Sequence, residues 1–392
     1  MSQINTARDL EIKTSIQKLI REWYELKLAR INFPFIHGHT NIPVFDMVFD
    51  DEELLMLSES CLDFTLAGGR FVRQFQVQLT KLFEVKKVIL TISEQMAFYT
   101  AFQILTTPHL GSKALLPDDE IIMCPFVSSY IFEQSYLKPV YIDIEPDSCN
   151  IDVSLIRKAI NSKSKAIIVS HAAGNPCQIG EIAEIAKNND LWLIESCVDA
   201  IGSRFDNQYL GTFSDISIFG FGLKQQITTG EGGALFINND ILKNIGVPEF
   251  KMSEMQASIG LAQLRKLTYF IDARKRNFNM LFDYLRPFEN LFKLLDIRDK
   301  SEPCWAYFPV IVKEQAGFDK SDLVKYLDNF NILTEPLFEP VNKCGKWISE
   351  SYNFDYVIKN GFKIGLYPTI SDDAIRYTVS KINEFIINFS KA

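Results

Sequence analysis

Residues 192–240 read WLIESCVDAIGSRFDNQYLGTFSDISIFGFGLKQQITTGEGGALFINND. The stretch enters on an apolar run of strand length, 191–195, and leaves it through the polar pair Glu195-Ser196. A turn containing Gly202 follows, then a second apolar run at 217–221 and the polar triplet Lys224-Gln225-Gln226. A glycine-rich turn, Gly230–Gly233, leads into a third run at 234–237. Short apolar, β-branched runs bounded by turn residues are the mark of buried strands.

Toward the N-terminus the same texture continues. Strands are predicted at 85–92, 120–124, 139–144 and 166–170, with helical periods at 94–105, 152–161 and 179–188 between them. Strands alternating with helices imply a mostly parallel sheet covered on both faces, an α/β fold. Beyond residue 240 the pattern changes to a long helix at 254–285, a strand at 305–313, a helix at 320–329, a short segment at 365–367 and a closing helix at 371–391. An amphipathic helix is predicted at 7–30. The division expected from these textures is a large domain, 1–245, and a smaller α+β domain, 246–392.

Composition narrows the function. The 392 residues carry a formal net charge of −8, with 47% hydrophobic and 23% charged residues. An acidic chain with no Lys/Arg run is a poor partner for nucleic acid, whose phosphates need a basic surface. No apolar stretch is long enough to span a membrane. The seven cysteines stand singly, without a C-x-x-C pair, so no metal site is expected, and their odd number without a secretory signal fits a reducing cytoplasm.

In an open parallel sheet, ligands gather at the carboxyl ends of the strands. The polar residues there are Ser93-Glu94-Gln95, His171 with Gly174-Asn175, Glu195-Ser196 and Lys224-Gln225-Gln226. His171 reads either as a general acid or base, its ordinary pKa being near neutrality, or as a packed histidine. Glu94, Glu195, Asp199 and Glu249 would crowd carboxylates around one pocket, where repulsion and burial raise pKa values; the plainer reading is caps and solvent-facing groups.

The chain resembles the DegT/DnrJ/EryC1/StrS sugar aminotransferase family, and within it the CDP-4-keto-6-deoxyglucose 3-dehydratases. The likeness rests on Gly69-Arg70-Phe71, Asn150-Ile151-Asp152, Ser170-His171 with Gly174-Asn175, Asp199-Ala200 with Gly202, Gly211-Thr212-Phe213, Gly230–Gly233, Met255-Gln256-Ala257, Ser301 to Trp305 and Gly365 to Pro368. It implies the aspartate-aminotransferase fold, a homodimer with each site completed by the neighbouring subunit, and a nucleotide-linked sugar, CDP first, as ligand. It also implies a place in making a bacterial surface polysaccharide such as O-antigen.

The family's cofactor positions fall on different residue types here. The small residues that hold the phosphate of pyridoxal phosphate (PLP) at a helix start align with Glu94-Gln95, and a further phosphate ligand with Gly220. The pyridine-nitrogen aspartate aligns with Ser196, the Schiff-base lysine or its histidine replacement with Gln225, and the partner subunit's asparagine with Glu249. The loop that carries iron–sulfur cysteines in the dehydratases is largely absent. From these replacements no cofactor is expected, with PLP or pyridoxamine phosphate (PMP) as the family-based alternative.

The expected function is acid/base chemistry, such as epimerisation or isomerisation beside a keto group, with His171, Lys224, Glu195 and Asp199 as catalytic candidates. Arg70, Asn175, Trp305 and Tyr367 are the expected substrate contacts; for the two aromatics core packing is the plainer alternative. An inactive subunit partnering an active paralogue, and a PLP enzyme using Lys224, remain as other readings.

Overall fold

The computed structural model describes residues 2–31, 34–126, 136–246, 250–339, 345–348 and 350–389, with side chains in the first helix from 7 to 28. The helices are α1 (Ser2–Ile31), α2 (Asp51–Leu62), α3 (Arg70–Phe83), α4 (Glu94–Leu105), α5 (Val153–Ala159), α6 (Ile179–Asn188), α7 (Glu254–Leu285), α8 (Lys320–Asp328), α9 (Tyr352–Asn360) and α10 (Asp372–Phe389). The strands are β1 (Lys87–Thr91), β2 (Glu120–Met123), β3 (Lys138–Tyr141), β4 (Ser164–Ser170), β5 (Trp192–Ser196), β6 (Arg204–Phe205), β7 (Gln208–Tyr209), β8 (Ile216–Gly220), β9 (Gly233–Ile237), β10 (Phe292–Lys293), β11 (Ser301–Glu302), β12 (Phe308–Val312), β13 (Glu335–Pro336), β14 (Lys346–Trp347) and β15 (Gly361–Ile364).

The main sheet has the order β1-β9-β8-β5-β4-β2-β3-β14. From β8 to β14 every pairing is parallel, while β9 runs antiparallel to both β8 and β1. Strands β5, β8 and β9 are buried at every position, which is why their sequences are apolar runs without alternation. A second sheet, β10-β12-β15-β13, is wholly antiparallel. Although β14 lies a hundred residues past the boundary expected at 245/246, it joins the edge of the main sheet beside β3.

Helix α3 follows directly on Gly68-Gly69, a pair that by itself marks a turn. Gly69 is the N-cap, and the buried Phe71, Phe75, Leu79 and Phe83 recur every fourth residue along one face. Its free N–H groups are taken by a residue distant in sequence: Phe71 N and Val72 N donate to the Glu254 carboxylate at 2.8 and 3.0 Å. Glu254 itself opens α7, whose start is fixed by a reciprocal cap between Ser253 and Gln256. Among the described residues no helix is long and apolar enough to cross a membrane.

Candidate functional site

The carboxyl ends of β1, β5 and β8 converge on one place. Beyond β1, Ser93 caps α4 and puts Glu94 in its first turn. Beyond β5 the chain passes Cys197 and Val198 to Asp199, whose backbone carbonyl accepts from Gln226 Nε2 and lies 3.7 Å from Cys304 Sγ. At the end of β8, Gly220 leaves room for the Glu94 side chain: a methyl group at 220 would come within 2.9 Å of Glu94 Oε2 and 3.2 Å of Val198 Cγ1.

Glu94 and Asp199 are both half-buried, and the charge of Asp199 acts against that of Glu94. Burial, and after it the Asp199 charge, pushes the Glu94 carboxyl up to about 7. Burial also raises Asp199, but Lys363 and then Arg274 pull it back. On balance burial outweighs the two cations, so both carboxyls lie above the ordinary range. A carboxyl that holds its proton near neutrality, with a second carboxyl close enough to act on it, is an arrangement suited to acid/base chemistry.

The walls come from elsewhere in the chain. Tyr307, just before β12, is buried, and burial raises its phenol well above the ordinary value, with Asp199 adding to the effect. Arg274 of α7 is fully enclosed and donates to the carbonyls of Trp305, Ala306 and Leu366. Gln226 Nε2 also lies 3.1 Å from Cys304 Sγ, leaving its buried Oε1 without a hydrogen-bond partner. Gln226, Arg274, Tyr307 and Lys363 were missed from sequence. Only Gln226 had a signal, its position in the triplet after β8.

The other expected residues are placed as follows. Glu195 is fully buried, and its oxygens accept from the backbone N–H groups of Gly211, Phe213 and Ser214 at 2.9, 3.2 and 3.0 Å. His171 bonds Glu195 through Nε2 at 3.3 Å and receives the Cys177 N–H on Nδ1, so both ring nitrogens are occupied inside the core. Cys197 brings a third donor atom within 4.8 Å of these two, but the Glu195 oxygens are already saturated by protein.

Lys224 is 59% exposed and is held by both oxygens of Glu335 at 2.8 and 2.9 Å. Ser196 is buried at the end of β5 opposite Ser170. Gln95 is exposed, and Gln225 folds over Gly222, where a methyl group would meet its Oε1 at 2.7 Å. Glu249 lies outside the described residues.

Arg70, expected to grip a diphosphate, already has two carboxylate partners, Asp63 at 2.6 Å and Glu59 at 2.7 Å. Asn175 is fully buried and ties Asn150 to Asp296 O, with its own Oδ1 unpartnered. Trp305 is stacked on Phe278, ring centroids 3.7 Å apart, and Tyr367 is buried with its carbonyl bound by Asn277. Both aromatics are placed in packing positions.

The topology, with ligand-facing groups at the strand ends of a mostly parallel sheet and a second antiparallel sheet beside it, defines an aminotransferase-type α/β protein. The chain belongs to the DegT/DnrJ/EryC1/StrS aminotransferase family, matched over residues 49–247 and 241–383. It is 34% identical over 414 residues to the lipopolysaccharide biosynthesis protein RfbH of Salmonella typhimurium, covering 91% of this chain and 94% of the relative. It is 30% identical over 412 residues to dTDP-4-dehydro-2,6-dideoxy-D-glucose 3-dehydratase of Saccharopolyspora spinosa, covering 91% and 89%. A solved Escherichia coli GDP-4-keto-6-deoxy-D-mannose-3-dehydratase with bound hydrated PLP superposes with a TM-score of 0.79 at 24% identity, covering 87% of this chain and 99% of that one.

That structure corrects the expectation that no cofactor is involved. PLP is held by a protein of this fold, so PLP is the cofactor for which this chain has to be assayed. The side chains at the corresponding strand ends do not build a phosphate cradle in the arrangement described: the Glu94 carboxyl fills the space over Gly220, and Lys224 faces Glu335.

Proposed function

We propose that this protein acts on a nucleotide-linked keto-deoxysugar in the synthesis of a surface polysaccharide, moving a proton at the carbon beside the keto group. The observation that carries the reading is the Glu94 carboxyl at the strand ends, pushed up to about 7 by burial and then by the Asp199 charge. A well-placed acid or base lowers the barrier to enolisation, each such group contributing roughly 100-fold. Glu94, protonated in half the molecules near neutral pH, is suited to both giving and taking that proton.

In this reading the protein is a homodimer. Leu66, Ile92 and Met255 are exposed together where Leu66 O accepts the Glu254 N–H and Gln256 reaches Ile92 O, and they give a partner apolar surface to bury. A monomer by light scattering at micromolar concentration would remove this part.

The deciding experiment is exchange in deuterium oxide with CDP-, dTDP- and GDP-linked 4-keto-6-deoxysugars, each with and without added PLP or PMP, read by mass and NMR. Deuterium is expected beside the keto group with at least one nucleotide, the CDP sugar tried first, and about 100-fold more slowly in Glu94→Gln. Absence of exchange under every condition overturns the acid/base reading and leaves the protein as a partner subunit of an active relative. Exchange lost in Lys224→Ala but kept in Glu94→Gln would transfer the role to Lys224.

A further inference from the structure

We infer that α1 pairs with α1 of a second copy of this chain, the two helices running parallel along a seam of Ile12, Ile16, Leu19, Trp23 and Leu26. The inference is independent of the acid/base reading above. The five seam residues are spaced by four, three, four and three positions. That is the heptad pattern along which two helices bury a common apolar edge. α1 precedes the stretches matched to the family, 49–247 and 241–383, so the core of that fold makes no demand for this pattern.

The body of the protein holds a different face of the helix. Gln17 Nε2 donates to Glu59 of α2 at 3.0 Å, and Arg21 lies 3.5 Å from Asp51. Lys13, Gln17, Ile20 and Tyr24 are half-buried on this face. Gln17 and Tyr24 each follow a seam residue by one position, which turns them about 100° away from it. Within the seam only Ile16 is half-buried. Ile12, Leu19, Trp23 and Leu26 are 47%, 62%, 55% and 67% exposed, so four large apolar side chains in one line are left to water.

Charge and space decide what covers this edge and in which direction it runs. In a parallel pair, Glu22 on one flank of the seam faces the second copy's Lys27 on the other, and symmetry makes the contact twice. Both are open to it: Glu22 has only an exposed contact of 3.7 Å with Lys18, and Lys27 has no ion pair among the described residues. Arg8 faces the second copy's Lys13, but each has its own carboxylate, Glu11 at 3.0 Å and Asp9 at 3.4 Å. Run antiparallel, the helices would present to each other the sides that carry α2, and the two bodies would collide. A lipid surface has no use for the four-three spacing and would meet Glu11 and Glu22 beside the apolar edge. Two heptads alone make a weak pair. With the Leu66, Ile92 and Met255 surface forming a dimer, two such helix pairs act together in a tetramer and reinforce each other.

The test uses the full chain, in sedimentation and in cross-linking. Leu19→Glu/Trp23→Glu alters only exposed positions and is expected to halve the particle mass. Glu22→Lys should weaken association several-fold, and adding Lys27→Glu should restore it. In a Cys61→Ser background, Leu26→Cys should form a covalent pair on mild oxidation, because a parallel seam sets this residue against its own counterpart at a disulfide's reach. Thr14→Cys, on the outer side of the helix, should not. A wild-type tetramer that falls to a dimer supports both surfaces. A wild-type dimer that falls to a monomer supports α1 and removes the Leu66 surface. An unchanged mass, or cross-linking at Leu26→Cys no greater than at Thr14→Cys, overturns the inference. An unchanged mass with binding to anionic lipid vesicles lost in Leu19→Glu/Trp23→Glu overturns it too, and gives α1 to a membrane surface.

Discussion

Glu94 carries its charge reluctantly, and that has a consequence for stability. Its carboxyl titrates near 4.5 in an unfolded chain and at about 7 in the fold. Between these values the unfolded chain has released a proton that the folded one retains. Stability therefore falls as pH rises through this window, by roughly 3 kcal/mol when it is complete. Glu94→Gln, a neutral group of the same shape, removes that loss. The variant should melt with the wild type at pH 4.5 and several degrees above it at pH 8. A melting difference independent of pH would show that the carboxyl is not held protonated. Of the residues at this site, Glu94 and Asp199 were legible in the sequence because each follows a strand on the ligand side of a parallel sheet. Lys363 and Tyr307 were not, since they belong to the other sheet and no spacing within 85–240 refers to them.

At the scale of elements, the strands and most helices were readable because their burial leaves direct marks: unbroken apolar runs for β5, β8 and β9, and a four-residue recurrence for α4, α6 and α7. Strand direction leaves no such mark, so the antiparallel β9 within the main sheet is a feature of the structure alone. What a buried carboxylate does is equally hidden. Glu195 at the end of β5 looked like a site residue and is the anchor of the turn before β8, accepting three of its backbone N–H groups and the His171 ring. Removing it strands three buried donors, each costing about 1–3 kcal/mol. Glu195→Ala should therefore lower stability by roughly 3 kcal/mol or more in urea unfolding, with faster amide exchange at 211–214. His171→Ala removes two bonds but strands only one buried backbone donor, the Cys177 N–H, and should cost less. Equal losses in the two variants would mean that the carboxylate is not the main tie.

For the whole molecule, the second sheet depends on its anchorage to α7, which holds the ends of its two central strands. From one helix, Arg274 donates to the carbonyls of Trp305 and Ala306 on one side and Leu366 on the other, and Asn277 donates to Tyr367 O at 2.9 Å. These carbonyls flank β12 and β15, the strands beside which Tyr307 and on which Lys363 are carried. Ala306 N in turn donates to Ala173 O in the loop after β4, so the chain at 305–306 is pinned from both sheets. A division at residue 245 captures where the texture changes but not this dependence, because a long helix with a polar residue facing inward reads the same whether it closes one domain or joins two. Burial lowers the Arg274 guanidinium to about 10, which still leaves it charged at neutral pH, and the carbonyls replace the water it has lost. Arg274→Met keeps the volume of the stem and removes the bonds to Trp305, Ala306 and Leu366 together with a cation that acts on Asp199. The expected result is a loss of about 3–5 kcal/mol in urea unfolding. Amide exchange should rise in both 305–308 and 361–367, and the midpoint of the Asp199 carboxyl titration should move to higher pH. Exchange that rises on only one of the two segments would show that Arg274 braces that segment alone and does not tie the approach to β12 to the exit from β15.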